Sequence, residues 1–319
     1  MKRNFREGQM IFMQGLKQSE KFFFEYGRPL FEQLFPDVFP RLAFGLAGHG
    51  SECFGFDDEV SQDHDFTRGF AVWISGTDEE KYGFQLTRAY QKLLKEHVPG
   101  GSGASSKLGE MEHGICRRED FFLRHIGSPG VPRSWQEWLN IPDYALAEAL
   151  NGKVFLDISG EFSAMRQELR TGMPEDVRLK KIAARLALMA QSGQYNYLRC
   201  HRHNQPGAAA IALTEFVRET AALIFLLNKQ FSPYYKWMFR AMQSLQTANE
   251  LAAPLEFLLT DHAPPQEKAA LIEDICCQIK MILKNQELSE NDSDYLEAQA
   301  FDVMKKIKNP QIRSLHVMA

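Results

Sequence analysis

Cysteine is scarce in this chain: five residues in 319, an odd number with no regular spacing. That excludes a disulfide framework and fits a reducing compartment. Long apolar runs are also missing. The segment from Ala208 to Leu227 comes nearest, but Glu215, Arg218 and Glu219 interrupt it, so it reads as a buried or amphipathic helix and no stretch reaches membrane-spanning length. The first residues begin with basic side chains but carry neither the apolar core nor the small-residue cleavage site of a signal peptide. The expectation is a cytoplasmic protein with no membrane partner. There is no Lys/Arg block, and 37 basic against 41 acidic residues leave a net charge of −4, which argues against a long nucleic-acid partner. No internal repeat and no low-complexity tract appear.

What the chain has is one concentrated stretch, RLAFGLAGHGSECFGFDDEVSQDHDF, from Arg41 to Phe66. Leu42 to Ala47 has the length and composition of a buried strand, and Gly-His-Gly-Ser follows as a turn where the backbone must approach something closely. Gly48 and Gly50 remove side chains there, and successive N–H groups with the Ser51 hydroxyl suit phosphate oxygens. Glu52, Asp57, Asp58, Glu59, Asp63 and Asp65 follow, with no Lys or Arg from Leu42 through Thr67. Such a pocket would repel phosphate unless cations sat among the carboxylates. Asp63 and Asp65, two apart in an extended segment, share one face, a hard oxygen site of the kind magnesium takes.

Gly50-Ser51 followed by Asp63-His64-Asp65 resembles the signature of the nucleotidyltransferase superfamily of DNA polymerase beta. More closely, GHGSECFGFDDEVSQDHDF is similar to a bacterial domain-of-unknown-function family placed among those transferases, and VFLDISGEF, GQYNYLR and SPYYKW extend the likeness over most of the chain. The resemblance implies transfer of a nucleoside monophosphate from a nucleoside triphosphate, such as ATP, to an acceptor hydroxyl with release of pyrophosphate. It implies Gly48, Gly50 and Ser51 on the phosphates, and Asp63 and Asp65 holding two Mg2+ ions. Asp157, at the end of the apolar run from Val154, is the candidate third carboxylate, against the plain reading of a turn former. Tyr195, Asn196 and Lys236 are candidates for contacts to nucleotide, against structural or surface roles. The near-neutral charge favours a small-molecule acceptor. A non-catalytic nucleotide-binding or toxin-neutralising module on the same fold is the alternative.

The expected architecture is α+β: a small mixed sheet with helices on one side over residues 1–165, preceded by N-terminal helices, then an all-helical domain over 166–319 closing the substrate cleft. Strands are expected at 42–47, 69–74 and 152–157, and a helix at 79–97. A capped helix is expected from Ser134, with Glu137 three residues on, and another from Asp176 ending at Gly193 as a C-cap. The Pro99–Gly109 loop reads as surface, against a phosphate lid using Lys107, and the pattern from Met111 to Ile126 fits strand or helix equally. A Rossmann reading of Gly48-x-Gly50 fails for want of the third glycine at Cys53. A phosphohydrolase reading with His49 and His64-Asp65 as ligands fails for want of helix-borne histidines, leaving His49 a turn residue. Cys200, His201 and His203 have no second ligand pair at finger-like spacing, and Cys276-Cys277 reads as small apolar surface for burial.

Overall fold

The computed structural model describes residues 15–58, 69–98 and 113–318. Asp63, His64, Asp65 and the Pro99–Gly109 loop lie outside the described residues. The chain divides into two compact units, one of residues 1–131 and 148–171, the other of 132–147 and 172–319.

In the first unit, α1 (Gly15–Phe22) passes through a π-helical turn (Phe23–Gly27) into α2 (Arg28–Leu34). The strand β1 (Ala43–Leu46) and the short helix α3 (Ser51–Phe54) follow, then β2 (Ala71–Ile74), α4 (Gly76–His97), β3 (Gly114–Arg117) and α5 (Arg118–Ile126). Within the stretch that fitted strand or helix equally, residues 114–126 are a strand and then a helix. The unit closes with β4 (Lys153–Asp157) and α8 (Glu161–Thr171), after α6 (Trp135–Asn140) and α7 (Asp143–Leu150) have intervened. Of the three points where the chain passes between the units, the second falls inside α7.

The four strands form a mixed sheet in the order β3-β2-β1-β4. β1 is antiparallel to both neighbours, and β2 is parallel to β3. All eight residues of β1 and β2 are buried, which corrects the expectation of helices on one side only: both faces are covered. Side chains alternate, so Phe44, Val72 and Ile74 meet Phe23, Phe31, Leu86, Tyr90 and Leu93 from the helices on one face. Trp73 points to the other face, where its ring stacks on Phe162 at 4.1 Å and meets Phe121 edge-on at 5.5 Å. Gly45 makes room for it, since a Cβ there would lie 2.9 Å from the Trp73 ring.

Local signals explain the helix ends. The Ser75 hydroxyl accepts from Asp78 N–H and starts α4 three residues before the apolar pattern begins. Asp78 also receives two hydrogen bonds from Arg41, at 2.7 and 2.9 Å. The Arg41 guanidinium, with help from the Ser75 hydroxyl, holds the Asp78 carboxyl below its ordinary range against the opposing effect of burial. The Ser134 hydroxyl accepts from Glu137 N–H as the capping box requires, but Ile141 and Pro142 split the expected single helix into α6 and α7.

The second unit is helical throughout its described residues. α9 (Glu175–Met189), α10 (Leu198–Arg202) and α11 (Pro206–Leu227) lead to α12 (Tyr235–Met242), α13 (Ala252–Thr260), α14 (Pro265–Asn285), α15 (Leu296–Lys306) and α16 (Pro310–Arg313). Gly193 is not a C-cap. The helix runs on through a π-helical segment (Ala190–Tyr197) into α10, and Gly193 sits inside it because a Cβ would lie 2.3 Å from the Phe216 ring of α11. A small sheet flanked by helices and a wholly helical unit make the protein α+β. No helix among the described residues is long and apolar enough to cross a membrane, and all five cysteines are free.

Candidate functional site

The turn that follows β1 is built as its composition demands. Gly48 is buried with φ 134°, in the left-handed region that favours glycine. Its peptide is held on both sides by one side chain: Gly48 N–H donates to Asn151 Oδ1 at 2.9 Å, and Asn151 Nδ2 donates to Gly48 C=O at 2.6 Å. Gly50, by contrast, has an ordinary extended backbone. The space beside it is filled by the Glu52 carboxylate, 2.1 Å from where a Cβ would stand, and the Ser51 hydroxyl donates to Glu52 Oε2 at 3.4 Å. An acidic group therefore lies over the turn proposed to receive phosphate.

A second layer fixes the turn from behind. Gly152, at φ 67°, packs so tightly on the end of β1 that a Cβ would sit 1.9 Å from Leu46 O. Its N–H donates to Cys53 C=O at 2.7 Å. Arg166 of α8 donates to the Asn151 carbonyl, and Arg170 donates to the Leu150 carbonyl at 3.2 Å, so two guanidinium groups serve the last carbonyls of α7. Burial lowers the Arg166 pKa to about 10, which leaves it charged at neutral pH and adjacent to the Asn151 clamp.

The same turn brings together three side chains distant in sequence. His49 Nε2 lies 3.2 Å from Glu148 Oε2, and His125 Nδ1 lies 4.0 Å from that same oxygen. The two imidazole centroids are 4.7 Å apart with planes inclined by 31°. On its far side the His125 ring meets Phe121, one helical turn earlier on α5, at 4.7 Å. The His125 side chain is wholly buried, Glu148 is 8% exposed and His49 is 48% exposed. His49 is therefore more than a turn residue. His125 and Glu148 were missed, because nothing in their spacing from His49 marks them.

The residues singled out in the sequence fall into three groups. Gly48, Gly50 and Ser51 form the turn, while Asp63 and Asp65 lie outside the described residues. Asp157 is not brought to the turn. It pairs with Ala43 at the start of β1, whereas Lys153 pairs with Leu46 at the turn end. At about 3.3 Å per residue this separates Asp157 from Gly48 by more than 10 Å along the sheet. Its Oδ1 accepts from Gly160 N–H at 2.9 Å and from the Ser159 hydroxyl at 3.2 Å, and its Oδ2 accepts from Ser163 N–H at 2.8 Å. Those bonds are the work of a turn former at the start of α8.

Tyr195, Asn196 and Lys236 belong to the other unit. Tyr195 is exposed, with the Arg199 guanidinium 5.3 Å from its ring centroid. Asn196 is half-buried in the π-helical segment, and Lys236 is exposed with its ammonium 4.8 Å from the Trp237 ring centroid. A buried ion-pair network of that unit lies elsewhere. Lys181 donates to Asp143 at 2.7 Å, and Arg185 bridges Glu219 at 2.5 Å and Asp143 at 3.9 Å. Burial pushes the Glu219 carboxyl up even though Arg185 draws it down.

Comparison with known proteins adds three findings. A family model described as a domain of unknown function, DUF4037, matches residues 138–238, about a third of the chain. That stretch carries Glu148, Asn151, Asp157 and Arg166 but neither His49 nor His125. No curated protein matches the sequence. Among solved structures, the crystal structure of a nucleotidyltransferase-like protein from Exiguobacterium sibiricum is similar with a TM-score of 0.36 and 10% sequence identity, covering 89% of this chain and 80% of that one.

Proposed function

We propose that the protein is a metal-dependent nucleotidyltransferase that moves a nucleoside monophosphate from a nucleoside triphosphate to a hydroxyl of a small-molecule acceptor. The observation that carries the reading is the strand and turn: a fully buried β1 runs into Gly48–Ser51, with Gly48 in a glycine conformation and clamped by Asn151. β2 returns antiparallel beside β1, Ala71 opposite Gly45, and the connection between turn and β2 carries the Asp63-His64-Asp65 of the sequence resemblance.

In this reading the backbone N–H groups of the turn and the Ser51 hydroxyl bind the β and γ phosphates. Asn151 keeps the Gly48 peptide in place, and the buried Arg166 contributes positive charge behind it. Glu52 beside the turn adds negative charge there, which a bound cation would offset. Asp63 and Asp65 supply hard oxygen donors of the kind Mg2+ takes, and two such ions would neutralise the departing pyrophosphate and make the acceptor hydroxyl easier to deprotonate. Asp157 is given no part at the turn. Contacts of Tyr195, Asn196 and Lys236 with nucleotide belong to the same proposal.

The test is calorimetric titration of each of the four triphosphates, with and without Mg2+, on the wild type and on Asp65→Asn, followed by pyrophosphate release with a panel of hydroxyl acceptors. Metal-dependent binding that the variant loses, with release in the presence of one acceptor, is the expected outcome. Failure of well-folded wild type to bind any triphosphate would refute the proposal. The local engagement of Asp157 favours one second reading, a module that holds nucleotide without transferring it. Binding without release under every acceptor would support that reading.

A further inference from the structure

We propose that His49, His125 and Glu148 form a binding site for a divalent transition-metal ion of the zinc class, separate from any magnesium at Asp63 and Asp65. One donor atom from each of the three lies within 4.8 Å of the other two. Two nitrogens and a carboxylate oxygen around zinc, bound at about 2.0–2.2 Å in tetrahedral geometry, stand about 3.3 Å from one another. The His49–Glu148 edge, at 3.2 Å, is already at that separation, and the His125–Glu148 edge, at 4.0 Å, needs to close by less than an ångström. The third edge, between the imidazole nitrogens, is within 4.8 Å and needs to close by at most about 1.5 Å. Imidazole nitrogens favour zinc-class ions over magnesium or calcium, which take oxygen shells.

Electrostatics point the same way. Glu148 is buried in the last turn of α7, where the helix dipole places negative charge and disfavours a carboxylate. Two imidazoles lie against Glu148 Oε2. A divalent ion bound there would offset the negative charge of the carboxylate.

The surroundings hold the donors in place. Phe121 backs the His125 ring, and the Asn151 clamp on Gly48 fixes the residue next to His49. His125 and Glu148 form a buried floor, and His49 is the exposed rim. Three protein ligands with solvent on one side are the arrangement of an ion that keeps a position for water or substrate, unlike a closed structural site with four protein ligands. An ion here would also tie the turn after β1 to the ends of α5 and α7.

Equilibrium titration with Zn2+ alone, and with Co2+ followed by its visible d–d absorption, tests the site on the full chain. One equivalent of Zn2+ is expected, with Co2+ giving the spectrum of four- or five-coordinate nitrogen and oxygen ligation. His49→Ala, at a half-exposed position that should leave folding intact, is expected to weaken binding at least about tenfold, since even residues that only orient metal ligands cost that much. Glu148→Gln keeps the shape of the floor and is expected to do the same. Asp65→Asn is expected to bind Zn2+ as the wild type does, so loss of nucleotide binding and loss of this site are separate results. Absence of Zn2+ binding by folded wild type would overturn the proposal. So would binding of unchanged affinity and stoichiometry in both His49→Ala and Glu148→Gln, because the ion would then sit on other histidines of the nine in the chain.

Discussion

Replacing Asn151 separates the role of the turn from that of its chemistry, because Asn151 touches only the backbone of Gly48 through its side chain. The wild-type amide makes two bonds, one accepted from N–H at 2.9 Å and one donated to C=O at 2.6 Å. Asn151→Ala leaves both groups of a buried residue without that partner. With about 1–3 kcal/mol for each buried group left unsatisfied, and water reaching part of a half-buried position, the loss should be about 2–4 kcal/mol. For a unit of this size that is about 5–12 °C in Tm. Asn151→Asp gives a sharper result. Its ionised carboxylate can still accept from Gly48 N–H but faces Gly48 C=O without a proton to offer. Once protonated, it can donate to that carbonyl and restore the pair. The donation favours the neutral form, so the folded pKa of the introduced carboxyl lies above the unfolded value near 3.9. Stability linked to a raised pKa is fully present below the unfolded pKa and lost as pH rises through the folded one. The deficit of Asn151→Asp against wild type should therefore be several-fold smaller at pH 4 than at pH 7. Urea unfolding at both pH values measures it. An alanine variant within about 0.5 kcal/mol of wild type, together with an aspartate variant whose deficit does not change with pH, would show that the clamp holds nothing.

Three further outcomes are expected. Gly152→Ala places a Cβ 1.9 Å from Leu46 O at φ 67°, so it should cost more than about 3 kcal/mol through strain and backbone clash, read as loss of soluble protein or a sharply lowered Tm. Burial lowers the Lys180 pKa to about 8. The unfolded chain then binds more protons between about pH 8 and the ordinary lysine value of 10.5, and this residue's contribution rises with pH across that window. Buried Cys276, whose thiol is pushed up by burial, acts in the opposite sense, so the quantity to measure is the stability difference between wild type and Lys180→Met, which should move in favour of wild type from pH 8 to 10. At the acid end, Asp78 is held below its ordinary pKa mainly by Arg41, so its stabilisation is present above the unfolded pKa and lost as pH falls through the folded one. Arg41→Ala should cost about 1–3 kcal/mol at pH 7, a difference that shrinks below pH 4 in denaturant unfolding.

Elements whose causes are local could be read from the chain. The Ser134 cap and the apolar run of β1 both depend on residues within a turn or two of one another. Errors arose where a distant partner decided. Nothing near Gly193 says that Phe216, 23 residues on, will press against it and let a helix continue where glycine would otherwise end it. The face of the sheet beneath Trp73 was likewise hidden, because Phe121 and Phe162 reach it from helices that read as independent amphipathic segments. Periodicity shows that a helix has an apolar side but does not say which sheet face will cover it.

The candidate site divides along the same line. The turn itself was legible, because Gly48, which adopts a positive φ, and Gly50-Ser51 fall within four consecutive residues. Asp157 was read as a third carboxylate for Asp63 and Asp65; an acidic residue at a strand end is equally suited to metal and to an N-terminal turn, and the register of β4 against β1 sets it at the start of β1, away from Gly48. The His49–His125–Glu148 cluster draws on residues 76 and 99 positions from His49, one on each of two helices. Metal motifs are recognisable in sequence when two ligands share one helix or one loop, as at i and i+4; here each ligand comes from its own element. The sheet makes the meeting possible. β1 ends where the segment entering β4 begins, so whatever follows β1 meets whatever precedes β4. His49 is one residue past the buried glycine of that turn, and Glu148 is three residues before the asparagine that clamps it. The pair is thus a consequence of antiparallel register, with His125 added by the last turn of α5. The same register that takes Asp157 away from the turn brings Glu148 to it, so a carboxylate does stand at the end of β1, beside two imidazoles.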